Sequence, residues 1–202
     1  MKKLTIFTLI LIASCTIAMA QPRAIGMRLS HVIGVSYQHS LGEKNMLQID
    51  LEFPLFTHMN VSAIYDWLIP LKCPRGSMNL YAGVGGTVGL GWNLGWQYGT
   101  MKYPDGTKHK IRGWAGYGYG WGDYGRGRPV FGIFGVTGHF GFEYVFWFPL
   151  QLFADWKLTF GGFVGSWNAG DTGRGNGKIK YSGFYVPGIY NIAIGARYFF
   201  GR

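Results

Sequence analysis

Residues His139–Phe160 read HFGFEYVFWFPLQLFADWKLTF. Between Phe140 and Phe160 nearly every even position carries a large apolar side chain. The odd positions hold Gly141, Glu143, Gln151, Asp155 and Lys157, together with Val145, Trp147 and Phe153. A period of two is the signature of a strand, with successive side chains on opposite faces. This ribbon has one greasy face and one mixed face. The fold turns on which of them points outward, and into what medium.

The same alternation recurs along the chain. Leu47, Ile49, Leu51 and Phe53 alternate with Gln48, Asp50 and Glu52; Val61, Ala63, Tyr65 and Trp67 alternate with Ser62, Ile64 and Asp66. Leu80–Trp92, Val130–Phe146 and Asn191–Phe200 repeat the pattern, and no helical period follows residue 21. The second face decides the orientation. It carries Gly83, Gly85, Gly89, Gly91, Gly135, Gly141 and Gly195 among isolated charges. Glycine on a water-facing strand weakens the strand and adds no packing. Inside a narrow cylinder it makes room for a neighbour's long side chain. A soluble sandwich would bury the apolar face, whereas a membrane barrel turns it to lipid. The pattern predicts the second arrangement.

Composition agrees. Glycine accounts for 34 of 202 residues, aromatics for 18 % and charged residues for only 14 %, a profile neither disordered nor helical. Residues 1–20, MKKLTIFTLILIASCTIAMA, have two lysines, an apolar run from Leu4 to Ile12, and a small-x-small triplet at Ala18-Met19-Ala20. They read as an export signal, followed by one domain from 21 to 202. Ile12-Ala13-Ser14-Cys15 also looks like a lipoprotein cleavage box, leaving open whether Cys15 is acylated or cleavage follows Ala20. Loss of Lys2 and Lys3 lowers the net charge from +10 to +8. Cleavage after Ala20 leaves Cys73 as the one cysteine, with no internal disulfide. No later apolar run approaches the ~20 residues of a spanning helix, so entry into a membrane requires strands.

The fold class predicted is all-β: an eight-stranded antiparallel transmembrane barrel with strands at 24–30, 32–40, 46–54, 59–68, 79–92, 130–146, 149–163 and about 187–200. Residues 24–40 keep one parity throughout and read equally as a single long strand. An even total, with both ends in the periplasm, is the reason for splitting them. Short periplasmic turns then fall at 41–45, 69–78 and Phe148-Pro149, and two long external loops at 93–129 and 164–186. The interior-facing charges are Arg28, Asp50, Glu52, Asp66, Glu143, Asp155, Lys157 and Arg197. Eight strands leave a lumen just wide enough for side chains, and carboxylates sealed there need partners. A filled network rather than a wide pore is expected.

The loops carry the basic excess: Lys102, Lys108, Lys110, Arg112, Arg126 and Arg128 in the first, Arg174, Lys178 and Lys180 in the second. They are expected to meet the phosphates of outer-membrane lipid and lipopolysaccharide, although merely solvated loops would look the same. Trp114, Tyr117, Tyr119, Trp121 and Tyr124 alternate with glycines in an external aromatic ribbon suited to a glycan or a protein partner, with Pro104-Asp105-Gly106 as a turn for its neighbouring strand. Elsewhere such a tract would suit single-stranded nucleic acid; export removes that partner. Trp67, Trp92, Tyr144, Trp147, Trp156 and Tyr198 suit interfacial girdles. No metal spacing, cofactor motif or catalytic set emerges. His139 and Glu143 lie ~13 Å apart along one strand, too far for a direct pair, whereas His139 beside Asp155 or Asp50 on another strand remains open. Ser36 and His39 fall on opposite faces.

The pieces AIGMRLS (24–30), VSYQHSLGEKN (35–45), IYDW (64–67), LYAGVGG (80–86), GHFGFEYVFWFPLQLFADW (138–156) and IAIGARYF (192–199) resemble the small outer-membrane barrels of the OmpA/OmpX-like superfamily. They look particularly like the porin-family or outer-membrane beta-barrel-domain sequences of Bacteroides-like bacteria. The resemblance implies the fold, the cell outer membrane of a Gram-negative bacterium, a monomer, and insertion by the barrel-assembly machinery; it carries no catalytic residues. It also favours cleavage after Ala20. Such proteins commonly end on an aromatic residue, but here Gly201 and Arg202 follow Phe199 and Phe200. The leading expectation is a structural or surface-interaction barrel. The alternatives are an enzyme that modifies lipid A, as a deacylase or acyltransferase, and a narrow channel for small solutes.

Overall fold

The computed structural model describes residues 23–30, 33–53, 58–91, 95–115, 131–171, 176–186 and 191–200. All regular structure in them is strand: β1 (Arg23–Leu29), β2 (Ile33–Ser40), β3 (Asn45–Phe53), β4 (His58–Leu71), β5 (Ser77–Gly91), β6 (Gly95–Lys102), β7 (Lys108–Ala115), β8 (Phe131–Val145), β9 (Leu150–Asp171), β10 (Asn176–Val186) and β11 (Ile192–Phe200). Eight of these, β1-β2-β3-β4-β5-β8-β9-β11, form an antiparallel cylinder that closes where β11 pairs with both β9 and β1. Residues 24–40 are therefore a hairpin, with Leu29 opposite Ile33. Closure leaves the cylinder without an edge.

The registers also fix the cylinder's shape. A walk across neighbouring strands runs from Arg23 through His39, Leu47, Tyr65, Val84 and Gly138 to Leu158. In the other direction Leu29 reaches Ala154 through Ile194; Leu29 lies six residues beyond Arg23 and Ala154 four short of Leu158, so the circuit is offset by ten residues. A shear of about ten on eight strands tilts them by about 42° and gives a radius of about 8 Å. Side chains can fill that width.

One rim has short turns at 41–44, 72–76 and 146–149, and Arg23 pairs with Phe200 there. At the other rim the structure departs from the sequence reading. Residues 93–129 and 164–186 are not simply loops. β9 gives its first part to β11 and its second, from Gly161, to β10; β10 then pairs with β6, and β6 with β7. Three strands, β10, β6 and β7, thus extend the wall beyond the cylinder from the second part of β9. Pro104-Asp105-Gly106 does turn a hairpin, but the strand it leads into is Lys108–Ala115. Gly106, at φ +87°, takes the left-handed position that favours glycine, and the Asp105 carboxylate accepts from the Thr107 backbone N–H at 2.8 Å.

The extension exists because its strands keep the barrel's parity while exchanging the chemistry of the two faces. On β10, Ile179, Tyr181 and Tyr185 point inward and are buried, while Lys178, Lys180, Ser182 and Phe184 are exposed. The inward set joins Met101, Tyr103, Phe131, Ile133 and Phe163 in one apolar cluster. Phe131 packs edge-on against both Phe163 and Tyr181. Burial pushes the Tyr181 phenol up to about 12, so it stays neutral.

Candidate functional site: the filled lumen and the extended rim

Glycine opens space inside the cylinder for large neighbours. Gly141 lies opposite Tyr81 and Gly195 opposite Phe153, and a Cβ at either glycine would run into the facing ring. Phe153 in turn carries the Arg197 guanidinium 3.7 Å above its ring centroid, a cation–π contact in a desolvated setting.

All eight charged residues assigned to the interior from sequence are buried, none more than 3 % exposed. They divide into linked groups. Arg28 bridges Glu52 and Asp155, and Lys157 bridges Glu52 and Asp50, the latter at 2.9 Å. Arg197 donates to Ser36 Oγ at 2.8 Å and to Gln48 Oε1 at 2.8 Å. Ser36 passes a hydrogen bond on to Asp50 at 2.5 Å, and Gln48 Nε2 donates to the same carboxylate at 2.9 Å. Glu143 makes no salt bridge among the described residues; amides from Asn79 (2.9 Å), Gln38 (3.2 Å) and Gln151 surround it. Toward the extended rim Ser62, Thr87, Thr137 and Thr159 form a hydroxyl chain across four strands, with links of 2.8, 2.5 and 2.9 Å.

His139 stands between two carboxylates. Nδ1 is 2.8 Å from Asp66 Oδ1, and Nε2 is 3.4 Å from Asp155 Oδ2, an ion-pair distance rather than an aligned hydrogen bond. The sequence offered Asp155 or Asp50 as its neighbour; the structure gives Asp155 and adds Asp66. Ser36 is engaged with Asp50 and Arg197, and no hydrogen bond joins it to His39. Among the described residues no cluster of His, Cys, Asp and Glu could hold a metal ion.

Six of the nine predicted basic residues sit on strands. Lys102, Lys108, Lys110, Arg112, Lys178 and Lys180 are exposed on β6, β7 and β10. Trp114 lies on β7, while Arg126, Arg128, Arg174, Tyr117, Tyr119, Trp121 and Tyr124 lie outside the described residues. At the short-turn rim Trp67, Trp147 and Tyr198 are exposed. Sequence reasoning missed the uncharged members of the network: Gln38, Gln48, Asn79 and the hydroxyl chain. Their inward parity was available, but their partners lie up to four strands away around the cylinder.

Comparison of the chain with protein-family models, curated proteins and solved structures gives no significant match. Function therefore has to be read from the cylinder's own two surfaces. Outside, every one of the eight strands presents exposed apolar side chains, among them Met27, Val35, Phe53, Val61, Val88, Val136, Phe160 and Ile194. Inside are the charges.

Proposed function

We propose that the chain is a bilayer-spanning barrel of a bacterial outer membrane, a member of the OmpA/OmpX-like group, that works through its surface and conducts no solute. The observation that carries this reading is the inversion itself: apolar side chains outward on all eight strands, ionised ones inward. Soluble monomers rarely expose contiguous apolar patches larger than a few hundred Å², and here the belt runs around the whole cylinder. Its height fits a bilayer. From Leu152 to Val164 on β9 the outward residues span ~40 Å of strand, which a tilt of about 42° projects to ~30 Å along the axis. Trp67, Trp147 and Tyr198 at the short-turn rim suit an interfacial girdle.

The network across the lumen supports the absence of a pore, as does the apolar cluster above it. No nucleophile hydrogen-bonds to His139 among the described residues, and its ion-pair partners are carboxylates, so lipid hydrolysis gains no support from this site. The test is membrane fractionation of expressing cells with heat-modifiable gel migration, followed by planar-bilayer recording of the purified protein. Recovery in the detergent-extractable outer-membrane fraction and silent bilayers are expected. Release into the aqueous fraction would remove the membrane reading; stable large conductance steps would remove the closed lumen.

A further inference from the structure

The registers of β10, β6 and β7 bring three lysines into one line. Lys180 pairs with Lys102, and Lys102 pairs with Lys108, so three ammonium-bearing side chains leave the same face on neighbouring strands ~4.8 Å apart. Like charges directly opposite one another destabilise a sheet, yet here two such pairs are adjacent. On β9 Ser166 continues the row opposite Lys180. The next row toward the cylinder is Lys110, Thr100, Ser182 and Val164; the one after is Arg112, Tyr98, Phe184 and Gly162. No carboxylate stands among the described residues of these rows. Within ~13 Å of strand, β6 and β10 pass from cations through hydroxyls to aromatic rings that continue into the apolar belt, while β7 stays cationic through Lys108, Lys110 and Arg112. An open groove of about 700 Å³ lies across the first two rows, with Lys102, Lys108, Lys180, Thr100, Ser166 and Ser182 in its lining.

A free anion would require only the cations. The ordered passage from charge to hydroxyl to hydrocarbon along β6 and β10, with the β7 cations at its flank, matches an amphiphile lying along the wall. We infer that this groove binds a lipid whose headgroup carries phosphate. The lysine row faces the phosphate, Thr100 and Ser182 donate to headgroup oxygens, and the acyl chains lie over Val164, Phe184 and Tyr98. The inference rests on the bilayer-spanning reading, because only there would a lipid meet this face from the side.

The test uses the full chain in phosphatidylcholine nanodiscs doped with equal small fractions of phosphatidic acid and diacylglycerol, which differ by the phosphate. Lipids that stay bound are counted by native mass spectrometry. Phosphatidic acid should be retained over diacylglycerol. Each single Lys→Ser change at 102, 108 or 180 should weaken retention about fivefold, as expected for one lysine near an anionic surface, and the triple change should abolish it. The K44Q/K72Q variant, altered at the opposite rim, should retain the wild-type preference, and millimolar inorganic phosphate should not displace the lipid. Equal retention of both lipids, indifference to the lysine changes, or complete displacement by inorganic phosphate would each overturn the inference. If the triple serine variant does not fold, the singles and a charge-keeping K102R/K108R/K180R variant carry the comparison. A protein that inserts but shows no preference removes the lipid site and leaves the spanning reading intact; one that never inserts removes the latter.

Discussion

Replacing Arg28 with methionine tests whether the lumen is held together by charge balance. Three permanent cations, Arg28, Lys157 and Arg197, face five carboxylates, Asp50, Glu52, Asp66, Glu143 and Asp155, with His139 between two of these. Arg28 is the link between Glu52 and Asp155, and its Nη1 also lies 3.4 Å from Asn191 Oδ1. Without it, Glu52 keeps only Lys157, which Asp50 already shares, and Asp155 keeps only His139 at 3.4 Å. Removing one partner of a buried pair costs about 3–5 kcal/mol because a charge is left uncompensated, which shifts the folding equilibrium by roughly a hundred- to a thousandfold or more. Glu52→Gln acts differently. Arg28 retains Asp155, Lys157 retains Asp50, and the excess of negative charge falls by one, so the loss should be about 1 kcal/mol. The R28M/E52Q double variant should therefore be more stable than the two single losses sum to, by about 1–3 kcal/mol. Reversible urea unfolding from phospholipid vesicles, followed by tryptophan fluorescence and by the heat-modifiable gel band, gives all three values. An R28M protein within 1 kcal/mol of wild type, or strict additivity in the double variant, would refute the reasoning.

Other expectations probe the two faces separately. Val136, 61 % exposed on β8, should not tolerate lysine: V136K should cost about 2–4 kcal/mol if it sits near the bilayer midplane, and nearly nothing if the face meets water, as the same vesicle titration would show. Gly141→Leu forces a side chain into the Tyr81 ring and should cost about 1–3 kcal/mol through overpacking. Adding Tyr81→Ala should return part of that loss, and an unaltered folded band for G141L alone would count against close packing. Thr137→Val removes the middle of the hydroxyl chain and leaves Thr87 and Thr159 each short of a partner. A loss of about 1–3 kcal/mol is expected in urea unfolding, with Thr159→Val, at the chain's end, costing less.

Period-two alternation marked the eight strands of the cylinder, the glycine-bearing face marked which side was inside, and together they assigned Arg28, Asp50, Glu52, Asp66, Glu143, Asp155, Lys157 and Arg197 to the interior, where all eight are buried. Those are local properties: parity depends only on the pleat, so any strand reports its own two faces. The same rule was legible in Ile179, Tyr181 and Tyr185 against Lys178, Lys180 and Ser182. It went unread because the faces exchange chemistry there, apolar inward and polar outward, and the segment therefore resembles a charged loop when the lower barrel is the template. Pairing is another matter. That His139 meets Asp66 as well as Asp155, that Glu143 is ringed by amides, and that Lys108, Lys102 and Lys180 fall in one row all depend on register between strands far apart in sequence. Register follows from the shear needed to close eight strands, a property of the whole cylinder. The sequence alone determined which side chains face inward; only closure of the sheet decided which of them touch.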